Sequence, residues 1–317
     1  MKNTINSNIT QQNYMKKTMK SKHKKENMSD SMVGVVSYVI TGIFALFCLI
    51  PFIYLLSGSF SSESEVVRGN LSIIPKGFTM AAYQLVINGK QIFISYGVSI
   101  GLTVLGTIAS LLFTSFFAYP LSTGRLRYGK QLNFFVYFTM IFNGGLVATY
   151  IWYTQGLHLS NSYLVLVLPT LMVPWNMFLL RNFYASIPAS LAESARIDGA
   201  GESRILWQII LPCSKPALAT VGTFYALAYW NEWYKVMLYN SGDKTKWTLQ
   251  YLIMKMMREI ETIKNMTGQG VSIVGSDLPS TTMKLATAIL TIGPIILAYP
   301  LAQKYFTSGI MVGSVKG

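Results

Sequence analysis

The chain has 317 residues, 51% of them apolar and only 12% charged, and its mean hydropathy is positive. These proportions exclude an ordinary soluble domain and describe an all-α protein of several membrane-spanning helices. The net charge of +14 is no argument for nucleic acid, because the basic residues form no aromatic-interleaved patch apart from those expected beside membrane spans.

Residues 1–30 are polar and rich in Lys, Asn and Ser, with no apolar periodicity, and predict a disordered tail. Lys16, Lys17, Lys20, Lys22, Lys24 and Lys25 precede the first apolar run, which places the tail in the cytoplasm by the positive-inside bias. The run Met32 to Ser57 is too long for a signal-peptide core and predicts an uncleaved span, the first element of a 31–91 region whose remainder lies outside. Further spans are expected at about 92–119, 132–153, 162–180, 217–238 and 283–302, about six in all. Residues 92–303 form the core, and a short cytoplasmic tail, 304–317, follows. Arg125, Arg127 and Lys130 fall on an inner loop, and most Lys and Arg lie on the same side, so both termini are expected in the cytoplasm. Between the fifth and sixth runs, Leu249, Leu252, Ile253, Met256, Met257, Ile260 and Ile263 recur at helical spacing among charged residues. They predict an amphipathic external helix capping the spans, followed by a Gly-rich loop, 268–276, that can reach a partner or the pore mouth.

Residues 188–212 stand between two apolar runs yet carry Glu193, Arg196, Asp198, Glu202 and Arg204, so they predict a water-facing elbow of two short helices. Ser190 and Glu193 have the spacing of a capping box. Gly199 and Gly201 can take the left-handed conformation that ends a helix, and Glu202 to Ile210 reads as a second helix stopped at Pro212.

Glu193, Ser194 and Ala195, then three residues, Gly199, nine residues, Ile209, one residue, Leu211 and Pro212 resemble the EAA loop of ABC importer permeases, with Ser for the first Ala. The last residues from Tyr299 onward and Asn143-Gly144-Gly145 are similar to the carbohydrate-uptake branch of that family. The resemblance implies a type I ABC importer transmembrane domain in a bacterial plasma membrane. It implies that Glu193, Ala195, Gly199, Ile209, Leu211 and Pro212 couple to an ATPase subunit. It also implies two ATP-binding subunits, a second permease subunit, an extracellular solute-binding protein and a carbohydrate cargo, in contact with membrane lipids and without nucleic acid.

No Gly-rich loop followed by Lys and Ser or Thr is present, so the chain is not expected to be an enzyme or to bind a cofactor; ATP and Mg belong to the partner subunits. The isolated His23 and His158 make no metal site, and Cys48 and Cys213 are not expected to pair. In the fifth run, Tyr225, Tyr229, Trp230, Asn231, Glu232 and Trp233 put aromatic faces beside amide and carboxylate groups, as sugar binding requires. With Asn143 they are the candidate substrate path; an interfacial aromatic belt is the competing reading of the cluster. An ion-coupled secondary transporter is the alternative function, but it calls for several mid-membrane carboxylates, and Glu232 is the only one clearly within a run.

Overall fold

The computed structural model describes residues 33–268 and 280–309, and among them every regular element is helical. The expected tail and most of the Gly-rich loop lie outside the described residues. Helix α1 (Val33–Ser59) follows the first apolar run, and its apolar window is uncovered by the rest of the chain. A short helix α2 (Glu63–Val67) and α3 (Ala81–Asn88) complete the expected external segment.

Helix α4 (Lys90–Ser122) is the axis of the fold, long enough at about 1.5 Å per residue to cross a membrane with turns to spare. Its Pro120 lies near the end, where it does not interrupt the preceding turns.

The next two expected spans are bent, and a third bent pair joins the elbow to the fifth. Gly129–Ile141 (α5) turns by 112° into Leu146–Gly156, which comprises α6 (Leu146–Ile151) and a wide π-type turn. Gly145, at φ +86°, makes that corner, and the Asn143 side chain accepts the Gly145 N–H at 2.9 Å, as a turn-forming Asn does. Helix α7 (Leu164–Val167) and the tight turn after it bend by 51° into α8 (Pro174–Ser186), with Pro169 and Pro174 flanking the break. Helix α9 (Ala189–Ile197) then opens the elbow. The second limb of the elbow is α10 (Glu202–Ile205), a π-type turn over Leu206–Ile210 and α11 (Leu211–Cys213). It meets α12 (Lys215–Trp230) at 85°.

Helix α13 (Tyr234–Tyr239) leads to α14 (Leu249–Gly268), the expected amphipathic helix, and α15 (Ser280–Gly309) occupies the place of the sixth span. Leu249 and Leu252 of α14 are buried while Met257 is exposed, so the helix is one-sided. The Glu63 carboxylate accepts the Thr281 and Thr282 N–H groups at 2.8 Å each and caps α15 from a distant part of the chain.

The core lies where α4, α8 and α12 meet. Thr114 and Ser110 of α4 hydrogen-bond the hydroxyls of Tyr225 (2.7 Å) and Tyr229 (2.8 Å). Gly106 lets the Tyr229 ring approach; a Cβ there would stand 2.8 Å from ring carbons.

Candidate functional site

The elbow begins differently from its sequence pattern. Pro188 is the cap of α9 and Ser190 lies inside the helix, where its carbonyl accepts the Ser194 hydroxyl at 2.9 Å. The expected capping box is therefore not formed. The residue before a proline is pushed to extended conformation, and Ile187 (ψ 134°) ends α8 so that α9 starts immediately after Pro188.

The end of α9 is as the glycine spacing predicts. Gly199 has φ +82°, its N–H reaches the Arg196 carbonyl at 3.0 Å, and the Ala200 N–H reaches Ala195 at 2.9 Å. This paired closure is a Schellman motif, and Ala195 and Ala200, the two residues it joins, both pack against the core. Gly201 is instead an ordinary extended cap (φ −71°) for α10. Pro212 does not stop the second limb. The π-type turn before it absorbs the missing N–H, the helix continues to Cys213, and the corner falls at Ser214.

The six expected coupling residues separate by exposure. Glu193 and Gly199 are exposed, as is Ile197 at 86%, while Ala195, Ile209 and Leu211 are half-buried against the core. Pro212 is exposed on the second limb. A Cβ on Gly199 would meet nothing within 4 Å. The outer face of α9 is thus bare, with one carboxylate and one uncovered isoleucine.

The two limbs are pinned together by Arg196, whose Nε and Nη2 donate to the Glu202 carboxylate at 2.7 and 3.2 Å. The Tyr119 hydroxyl of α4 donates to the same carboxylate at 2.5 Å. Arg196, then Tyr119, hold the Glu202 carboxyl down at about 2 from an ordinary 4.5. Glu202 was not among the sequence candidates; an Arg and a Glu facing each other across a glycine turn were the available signal.

The expected substrate residues do not form one wall. Tyr225 and Tyr229 are 0% exposed, and their hydroxyls serve the break in the α7–α8 pair. Tyr225 accepts the Val173 N–H at 3.1 Å, and Tyr229 donates to the Val167 carbonyl at 3.3 Å. They satisfy backbone groups that the bend releases, which at membrane depth is costly to leave undone. This corrects the reading of both as open aromatic faces. Trp230 is also buried. Glu232, 8% exposed, follows the end of α12 and accepts both the Lys235 backbone N–H at 2.8 Å and the Lys235 ammonium. Asn231 is exposed, with its amide oxygen 3.3 Å from Gln250 Nε2, and Trp233 is half-buried.

Asn143 lies elsewhere, on the wall of a pocket of about 350 Å³ with Thr149, Tyr153, Tyr234, Lys235 and Tyr239. Tyr239 stacks on Tyr150, their rings 5.5 Å apart. Lys235 escaped notice in the sequence although it is a cation within an apolar run, the same signal that singled out Glu232. Among the described residues no group of His, Cys, Asp or Glu could hold a metal.

Residues 103–312 match the family described as binding-protein-dependent transport system inner membrane component. The chain belongs to this family. It is a membrane permease of an ABC importer, and its resemblance to relatives extends beyond the matched core. The polygalacturonan/rhamnogalacturonan transport system permease protein YtcP of Bacillus subtilis is 38% identical, over 92% of this chain and 100% of its own. The arabinooligosaccharides transport system permease protein AraQ of the same organism is 29% identical, over 86% of this chain and 92% of its own. A solved structure of a bacterial ABC transporter involved in the import of the acidic polysaccharide alginate contains a similar chain. It has a TM-score of 0.75 and 33% identity, covering 88% of this chain and 98% of the other.

Proposed function

We propose that this permease imports oligosaccharides, as one of two permease subunits working with two ATP-hydrolysing subunits and an external binding protein. The observation that supports it most is full-length similarity to permeases whose names specify oligosaccharide or polysaccharide transport, joined to a bare elbow face in the coupling position. In this reading ATP and Mg are bound by the ATPase subunits. Glu193, Ile197 and Gly199 meet the ATPase subunit, with an ion pair, an apolar plug and room for close backbone approach. Ala195, Ile209 and Leu211 fix that face to the rest of the chain.

At the other site, Asn143, Thr149 and Lys235 offer hydrogen bonds to sugar hydroxyls, and Tyr153, Tyr234 and Tyr239 offer ring faces to the apolar side of a pyranose. The tail and elbow face the cytoplasm and residues 239–282 face outside. Single cysteines at Ser203 and Ser241, probed with an impermeant thiol reagent in whole cells after removal of Cys48 and Cys213, test the orientation. Label at Ser241 alone is expected, and label at Ser203 alone overturns it.

For function, the chain is reconstituted with its partners and offered oligogalacturonides and arabino-oligosaccharides. Uptake that requires hydrolysable ATP is expected. Uptake driven by an ion gradient without the ATPase subunits assigns the chain to secondary transport and defeats the proposal.

A further inference from the structure

The elbow is joined to the membrane helices at each end by a single corner. Ile187 and Pro188 are extended, with ψ of 134° and 123°, and Ser214 is a lone residue at the 85° turn into α12, its buried hydroxyl without a partner. Such joints rotate easily and transmit displacement poorly. Besides the packing of Ala195, Ile209 and Leu211 against the core, the elbow has a directional attachment to a helix that is not its neighbour in sequence. On one face of α4, one turn apart, Phe116 meets the edge of the Trp207 ring (centroids 5.8 Å apart) and Tyr119 binds Glu202. Arg196 joins Glu202 to α9, the limb whose outer face is bare.

From there α4 runs without a break to the opposite end of the molecule, while α8 and α12, which pack on it, each belong to a bent pair. There, Ser99 of α4 accepts the Leu249 N–H at 2.8 Å, fixing the first residue of α14, and Gln91 donates to the Lys244 carbonyl at 2.7 Å. Tyr119 and Ser99 are about 30 Å apart along the helix at 1.5 Å per residue.

We infer that Tyr119, Glu202 and Arg196 form the joint by which displacement of the elbow enters α4, and that α4 carries it as a rigid rod to α14. The three are positioning residues, and the inference rests on the importer reading above. In this arrangement α9 moves with its partner, Arg196 draws Glu202, and Glu202 draws Tyr119. The unbroken helix then delivers the movement at Ser99, where α14 begins.

The test uses the assembled transporter, with Cys48 and Cys213 replaced and spin labels placed at Ser203 on the elbow and Met257 on α14. Each is paired with a fixed label on the ATPase subunit, and distances are measured without nucleotide and after trapping with ATP and vanadate. In the otherwise unchanged chain both labels are expected to shift. In Tyr119→Phe the ATPase subunit still co-purifies and the Ser203 shift persists, but the ratio of shifted to unshifted Met257 distances falls about fivefold, as loss of one hydrogen bond to a carboxylate implies. In Glu202→Gln, which also weakens the Arg196 contact that draws the second limb, both shifts fall. A full Met257 shift in Tyr119→Phe overturns the inference, as does parallel loss of both shifts in that variant, which describes only a misfolded elbow. No shift at Ser203 in the otherwise unchanged chain defeats the importer reading, and the inference with it.

Discussion

Lys235 and Glu232 show how a pair of charges sits in a largely apolar chain. The carboxylate has two donors from one residue, the backbone N–H and the ammonium of Lys235, and both side chains are mostly shielded from water. Removing one partner of such a pair leaves the other charge uncompensated, at a cost of about 3–5 kcal/mol, whereas replacing both can be nearly neutral. Glu232→Gln should therefore lower the thermal midpoint of the detergent-solubilised protein, and Glu232→Gln with Lys235→Met should recover most of the loss. If the double variant is no better than the single, the pair is not the reason Glu232 is there. The sequence identified Glu232 as out of place in its run but not Lys235, three residues on, although both stand beyond the end of α12 and the pairing follows from the turn that joins α12 to α13. For Tyr225 and Tyr229 the shortfall is of another kind. Their task is set by backbone groups at a bend in a different segment, and nothing local to the fifth run encodes it.

At the scale of the element, the end of α9 is where sequence and structure agree, since a left-handed helix end can be recognised from Gly199 alone. Its start was less legible because Pro188 and a capping box two residues later compete, and the proline's restriction on Ile187 prevails. The bends in the third and fourth spans were also missed. Apolar runs report length, and only Gly145, Pro169 and Pro174 report direction. Gly199→Val should cost about 1 kcal/mol of local backbone strain, with no steric clash, because the Cβ position is open. The variant is expected in the membrane at normal abundance with less ATPase subunit co-purified; equal recovery would make the elbow an uninvolved loop. Gly199→Asn, which tolerates the left-handed conformation, should be milder.

The pH behaviour of the elbow follows from Glu202. Arg196, Tyr119 and more distantly Arg125 depress its pKa to about 2, so the stabilisation is fully present above 4.5 and is lost as pH falls through about 2. Spin-label mobility at Ser203 should stay flat from about pH 5.5 to 8. A transition within that interval would show that the Arg196–Glu202 contact is not maintained.

For the whole molecule, the bend between α5 and α6 has a consequence for hydration. Among the described residues the amides of Asn143 and Gly144 find no acceptor, and Ile141 through Tyr150 are exposed on the surface. An amide left unpaired in hydrocarbon costs several kcal/mol, so lipid tails cannot be what surrounds this corner. Water, or a partner protein in the assembled transporter, must reach it. Hydrogen–deuterium exchange of the isolated chain in nanodiscs should show fast exchange over residues 143–148 and strong protection over 95–118 of α4. Equal protection of the two segments would mean that the corner is sealed. Fast exchange would make the 112° bend the wet point of the permease, an aqueous recess that its own backbone holds open before any cargo arrives.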